Sequence, residues 1–370
     1  MRRDVWIPVA VVVLPWWGAR LAGRDLAGLL MFPPPLAVPS DYLKFSWWAV
    51  GGVGLALALV FAGWFRRRPA GVGVGERSAD GSSAIRRSAA RLPLWAWLAA
   101  GWLALWWAVA WSGQPTLALA RHHSFFPLWL GFIVLVNGVC MARKGTCLMT
   151  RSPAGWLALF GLSAVFWWGF EWLNRFVHNW HYLSVEGYTP LGYAFHATLC
   201  FSTVLPAVAA VAETLGTFPR WTGRLAAGPA WRWLACAPAA RILLIGGVVA
   251  LLATGAFPNA CYPALWVAPL LLYLGAGGKR GFAAEMARGD WRPAGTWMAA
   301  ALVCGAFWEM WNGFSLPKWI YTVPGVERWH VFEMPLLGYA GYLPFGLECL
   351  AIIESVKPDL RPEIFGPQPP

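Results

Sequence analysis

The sequence predicts an all-α fold, a polytopic transmembrane bundle of about ten helices, on three observations. The chain of 370 residues is 58% hydrophobic and only 12% charged, which is too little polar surface for a water-soluble globule. Ten apolar runs approach the roughly 20 residues needed to cross the hydrocarbon core of a bilayer. All but seven of the 29 Lys and Arg residues fall in loops on one side of those runs, the asymmetry that sets membrane orientation.

The runs cover residues 5–19, 45–65, 92–111, 125–141, 153–170, 193–212, 241–257, 262–275, 294–311 and 335–353. The first is the shortest and must cross untilted or continue past Arg20. The basic side carries Arg2 and Arg3, the arginines of residues 66–91, then Arg143, Lys144, Arg151, Arg220, Arg224, Arg232, Arg241, Lys279, Arg280, Arg288, Arg292, Lys357 and Arg361. Read as cytoplasmic, it puts both termini inside a bacterial inner membrane. Residues 66–91, with Gly71, Gly73, Gly75, Ser82 and Ser83, form a basic Gly/Ser-rich linker. It divides a two-helix part (1–65) from an eight-helix body (92–356), which is followed by a tail (357–370). The 28 Trp residues bunch where runs end, as at Trp47 and Trp48 or Trp167 and Trp168, and read as interfacial belts.

The net charge of +12 is spread over short loops rather than one basic face, so it speaks for topology and against a nucleic-acid partner. Seven scattered Cys, of which only Cys261 falls in an outer loop, offer neither a disulfide framework nor CxxC spacing. Glu213 and Glu354 lie near the cytoplasmic ends of runs, where solvation or snorkelling suffices for them. No P-loop, dinucleotide fingerprint, nucleophile elbow or redox dithiol is present, which argues against ATP-driven, nicotinamide and serine-hydrolase chemistry.

The fifth run leads into Glu171-Trp172-Leu173-Asn174-Arg175-Phe176 and the ninth into Glu309-Met310-Trp311-Asn312-Gly313-Phe314. Each Glu-x-x-Asn is followed by a Trp-x-Tyr segment, Trp180-His181-Tyr182 or Trp319-Ile320-Tyr321, and then by Pro-Leu and a Gly-Tyr pair opening the next run. Those runs carry Leu205-Pro206 before Glu213 and Leu343-Pro344 before Glu348. Helices 5–6 and 9–10 are therefore expected to form a parallel repeat of helical hairpins enclosing one pseudo-symmetric site. All six His fall on or near the outer side, together with Glu171, Glu309 and Glu333.

Residues three apart share a helix face, so Asn174 and Asn312 are placed to orient Glu171 and Glu309, an acid/base pair assisted by His181 or His330. Trp180, Tyr182, Trp319, Tyr321, Glu333 and Glu348 are the expected substrate contacts. Glu348 lies deep in an apolar run, where an unpaired charge costs about 2.5 kcal/mol or more. His178 and His181 lack the density of ligands that a membrane metal centre requires, so no metal or other cofactor is expected.

Phe126-Pro127-Leu128-Trp129-Leu130-Gly131-Phe132, Phe170-Glu171-Trp172-Leu173-Asn174 and Phe201-Ser202-Thr203-Val204-Leu205-Pro206 resemble an uncharacterised family of bacterial polytopic inner-membrane proteins. Glu333-Met334-Pro335-Leu336-Leu337-Gly338-Tyr339 extends the likeness over most of the eight-helix body. The repeated Trp-x-Tyr segments also resemble those of the integral-membrane lycopene cyclases. Their Pro-x-Glu-Glu motif is absent, since the acid here, Glu333, precedes the proline. The expected function is an enzyme acting on a lipid or isoprenoid, with membrane lipids as partners. The alternatives are a proton- or cation-coupled transporter or lipid flippase, and a non-catalytic subunit of a membrane complex.

Overall fold

The computed structural model describes residues 6–34, 45–65, 91–257, 262–277 and 280–361. Arg2, Arg3, Lys44, the linker residues 66–90, Cys261, Lys279 and the tail beyond 361 lie outside them. The fold is an all-α bundle. Its helices are α1 (Trp6–Leu21), α2 (Leu26–Leu30), α3 (Trp47–Phe65), α4 (Leu94–Trp111), α5 (Ala118–His122), α6 (Phe125–Lys144), α7 (Leu148–Arg151) and α8 (Pro153–Val177). Then follow α9 (Pro190–Phe201), α10 (Val204–Leu215), α11 (Pro219–Leu225), α12 (Ala237–Ala256), α13 (Tyr262–Gly277), α14 (Gly281–Arg288), α15 (Arg292–Asn312) and α16 (Tyr342–Val356).

Among the described residues, six segments are long and apolar enough to cross a membrane: Leu94–Trp111, Phe125–Lys144, Pro153–Val177, Pro190–Leu215, Ala237–Ala256 and Leu336–Val356. They make the chain an integral membrane protein with multiple spans. Helices α1, α3, α13 and α15 occupy the other four apolar runs. The 21-residue α15 is long enough to span but less apolar, and its position explains why. It packs against α10, α16, α11 and α14, and buries Thr296, Glu309 and Asn312 together with Trp297, Trp308 and Trp311. A helix surrounded by protein need not be apolar on every face.

The sixth predicted run is broken rather than continuous, with α9 and α10 meeting at Ser202 and Thr203. Pro206 has no N–H to continue the ladder, and Ser202 Oγ and Thr203 Oγ1 donate back to the Leu199 and Cys200 carbonyls at 2.7 Å each. Ser163 on α8 spans the break: its hydroxyl donates to the Phe201 carbonyl at 2.6 Å and accepts from the Leu205 N–H at 3.0 Å. Pro344 holds the matching position, third residue of α16 as Pro206 is of α10, and a 3-10 turn over Leu336–Gly341 precedes it.

The tryptophans divide into two groups. Trp47, Trp48 and Trp97 are exposed as belt residues would be, whereas Trp129, Trp291, Trp297 and Trp311 are buried. The buried group includes an aromatic cluster in which Trp129 meets Trp308 and Trp311 with ring centroids 5.1 and 5.0 Å apart. Glu213 and Glu354 are held by partners rather than by solvation. Glu213 is 2% exposed and accepts from Lys144 at 2.6 Å, Arg151 at 2.8 Å and the Leu148 N–H at 2.8 Å. Glu354 accepts from Tyr273, Arg361 and the Phe282 N–H.

Helix α1 packs into the body, against α12 and α8. A Cβ on Gly18 would lie 1.9 Å from the Leu252 carbonyl oxygen, and one on Gly255 would lie 1.8 Å from that of Pro15. The two backbones thus touch, as small residues at helix crossings in membranes permit. Arg24 fastens the end of α1 by donating to the Gly255 carbonyl at 2.7 Å and to that of Phe176 at 3.2 Å. Gly18→Val or Gly255→Val is expected to cost about 1–3 kcal/mol by overpacking. The measurement is a thermal melt of detergent-solubilised protein beside Gly161→Ala, whose added Cβ meets nothing within 4 Å.

Candidate active site

The site is built where the chain leaves α8 and α15. Helix α8 runs past the predicted 170 to Val177, so Glu171 and Asn174 lie on its last turns, and His178 stops it in a left-handed conformation with φ 51°. Asn174 holds the chain that follows: its amide donates to the Trp180 carbonyl at 2.8 Å, and its oxygen accepts the N–H groups of Asn179 at 2.7 Å and Trp180 at 3.3 Å. Asn312 repeats this at the end of α15, donating to the Trp319 carbonyl at 2.7 Å and accepting the Trp319 N–H at 2.8 Å.

The two Trp-x-Tyr segments so fastened are strands, β1 (Trp180–Leu183) and β2 (Lys318–Tyr321), and they pair with each other antiparallel. The register sets Trp180 opposite Tyr321, His181 opposite Ile320 and Tyr182 opposite Trp319. Because side chains alternate along a strand, all four aromatic residues share one face. His181 points to the other, where its Nε2 lies 3.1 Å from both the His178 carbonyl and Thr322 Oγ1.

Behind the aromatic face stand the two carboxyl groups. Glu171 Oε1 accepts from Tyr182 at 2.6 Å, Trp180 at 3.0 Å and Trp167 at 3.1 Å. Glu309 Oε1 accepts from Tyr321 and Tyr342, each at 2.7 Å, while Trp319 donates to the Tyr321 hydroxyl at 2.7 Å. Each copy therefore bonds its glutamate to the tyrosine of its own strand. Burial above all holds the Tyr182 and Tyr321 phenols well above their usual range, so both are protonated at rest.

In front of the aromatic face is a cavity of ≈ 130 Å³, walled by Trp167, Trp180, Tyr182, Trp308, Trp319 and Tyr321, with Tyr342 and Phe345 from α16. No Asp, Glu, Lys or Arg lines it among the described residues. A second, more polar cavity of ≈ 240 Å³ lies against the same wall, sharing Trp180, Tyr182, Val185 and Tyr193 with the first. Its lining includes Glu171, Asn174, Arg175, His178 and His181.

Of the residues expected to act, Trp180, Tyr182, Trp319 and Tyr321 line the first cavity, and Glu171 and Glu309 lie one hydrogen bond behind it. Asn174 and Asn312 hold strand backbone, and neither bonds a glutamate. His330 sits in an exposed hairpin bonded to Glu327 at 2.7 Å, and Glu333 pairs with Lys318 at 2.5 Å. Neither lines either cavity. Glu348 is buried on α16, three residues beyond Phe345, and no side chain among the described residues bonds its carboxyl. The sequence reading overlooked Trp167 and Tyr342 as ligands of the glutamates. Trp167 stands four residues before Glu171, a spacing that places the pair on one helix face; Tyr342 has no such local signal. His123, His196 and Cys200 form a chain of contacts, but the described residues contain no group of three or more side chains that could hold a metal ion.

Comparison with protein-family models, curated proteins and solved structures finds no match to this chain.

Asn174→Ala or Asn312→Ala should each cost about 1–3 kcal/mol, because buried strand N–H and C=O groups lose their partner; thermal melts of the two variants check this. The imidazole of His178 is lowered to about 4 by burial, then by His181 and Arg24. An unfolded imidazole ionises at about 6.5, so the unfolded chain binds more protons between those values. Stability is therefore full above pH about 6.5 and falls as the pH is lowered towards 4. His178→Asn, which tolerates the left-handed backbone, should flatten part of that slope in melts taken from pH 7 to 5. His181, also lowered by burial, supplies part of the remainder.

Proposed function

We propose that this protein is an enzyme of the bacterial inner membrane that modifies a lipid or isoprenoid by acid/base chemistry. Both termini lie in the cytoplasm, the cavity lies towards the outer leaflet, and the repeated helical hairpins supply its two halves. The observation that carries the reading is the doubled arrangement of a buried carboxyl bonded to a phenol that lines one aromatic cavity without charged walls. A cavity of ≈ 130 Å³ suits one end of an apolar chain. With no charge to bind, it selects for hydrocarbon rather than for a headgroup. Tyr182 or Tyr321 protonates the substrate, and the glutamate behind it restores the phenol's proton. The indole and phenol faces around the cavity stabilise the positive charge that develops, and the dry lining keeps water from intercepting it.

The test is mass spectrometry of lipid extracts from membranes expressing the wild type, Glu171→Gln/Glu309→Gln or Tyr182→Phe/Tyr321→Phe. A lipid species converted by the wild type, with conversion reduced about 100-fold or more in both double variants, is expected. An unchanged profile with equal amounts of folded protein would overturn the reading. It would favour proton- or cation-coupled transport, for which the buried carboxyl of Glu348 in the span that also carries Phe345 is the supporting observation.

A further inference from the structure

The two glutamates are alike in sequence motif and in their bond to a tyrosine, but not in their access to water. Glu171 is 7% exposed and lines the polar cavity, whose rim includes the exposed residues Asp25 and Pro34. Its Oε1 is occupied by three donors. The charged and titratable groups around it are Arg175 on its own helix, Asp25 before α2, His178 and His181 beyond α8, Tyr182 on β1 and Tyr193 on α9. A polar cavity lined by this many donors and acceptors holds water.

Glu309 is 0% exposed and lines neither cavity. Its Oε2 is buried with no partner, and the groups around it are Tyr321, Tyr342, Trp319 and, farther off, Glu333. No cation faces it. An ionised carboxylate there would be an uncompensated buried charge, whereas a carboxylic acid leaves only one O–H without an acceptor, a far smaller penalty.

We infer that the two copies have divided the work, with Glu171 exchanging protons with bulk water through the polar cavity while Glu309 keeps its proton throughout and acts as a positioning residue for Tyr321 and Tyr342. The inference rests on the acid/base reading above and deepens it. When Tyr182 gives its proton to the substrate, Glu171 returns one to the phenolate oxygen and becomes a carboxylate. The substrate cation then loses a proton from an adjacent carbon to the Tyr182 oxygen as Tyr182 passes its own proton to that carboxylate, so the product leaves neutral and Glu171 is again an acid that exchanges with water in the polar cavity. One proton leaves Glu171 and one reaches it, so the cavity resets without a path through Glu309. Arg175 faces the transient carboxylate and donates to the Leu29 and Met31 carbonyls at 2.9 and 2.6 Å, which holds it in place for that purpose.

The test is infrared difference spectroscopy of the full chain in nanodiscs on transfer from H₂O to D₂O, with carboxylic-acid carbonyl bands assigned by Glu171→Gln and Glu309→Gln. The band lost in Glu171→Gln is expected to shift within the mixing time and to change amplitude with external pH. The band lost in Glu309→Gln should stay unshifted for hours and constant across the pH range in which the protein is folded. If either variant fails to fold, Tyr182→Phe and Tyr321→Phe assign the bands instead, since each removes one hydrogen bond from one carboxyl. A Glu309 band that exchanges as fast as that of Glu171, a Glu171 band that does not exchange, or no Glu309 acid band at all would overturn the inference. The measurement needs no substrate, so these outcomes are independent of whether a lipid is converted.

Discussion

A chain that leaves a helix inside a membrane bundle must find polar partners for its freed backbone groups, because neither lipid nor apolar side chains offer them. At the ends of α8 and α15 that partner is an asparagine amide, which takes both the N–H and the C=O of a tryptophan in the next strand, Trp180 or Trp319. Everything at the candidate site depends on this constraint. With both strands fastened to helix ends, β1 and β2 meet in a single register, and four aromatic residues are set on one face. The glutamate one turn earlier on each helix then lies behind the phenol of its own strand.

The same architecture separates apolar from polar space. Indole and phenol groups form a wall with a cavity free of charged side chains on one side and a polar cavity on the other. Hydrogen bonds from Trp167, Trp180 and Tyr182 carry the wall's polar atoms to Glu171, so the wall is polar only where it meets the carboxyl. Tyr321 and Tyr342 donate to Glu309, and the packing of α15 against α10 and α16 closes it off. The two motifs thus sit in unequal surroundings, with Gly28 and Leu29 of α2 and the neighbouring Asp25 and Pro34 lining the cavity beside Glu171.

Features written within one turn or one strand were legible in the sequence. The apolar runs, the Glu-x-x-Asn pairs and the Trp-x-Tyr segments each depend on residues close along the chain, and helices fill all ten runs. What required the fold was long-range. The asparagines read as partners of the glutamates three residues away, because the strand backbone they bind lies six and seven residues on, past a chain reversal. The break at Ser202 and Thr203 depends on Ser163 on another helix, and the close crossing of α1 and α12 depends on Gly18 and Gly255 meeting across the bundle. Tryptophan is equally at home in an interfacial belt and in an aromatic core, so composition alone did not separate Trp48 from Trp129.

Cysteine cross-linking of the strand pair tests the central claim most directly. His181→Cys/Ile320→Cys places thiols at directly opposed positions, where Cα atoms about 4.5–5.5 Å apart fall within disulfide reach. Oxidation of membranes followed by peptide mass spectrometry should recover the cross-linked peptide from this variant and not from His181→Cys/Lys318→Cys, which is two positions out of register. Recovery from the offset pair instead, or from neither with the protein folded, would contradict a site assembled by the pairing of the two Trp-x-Tyr strands.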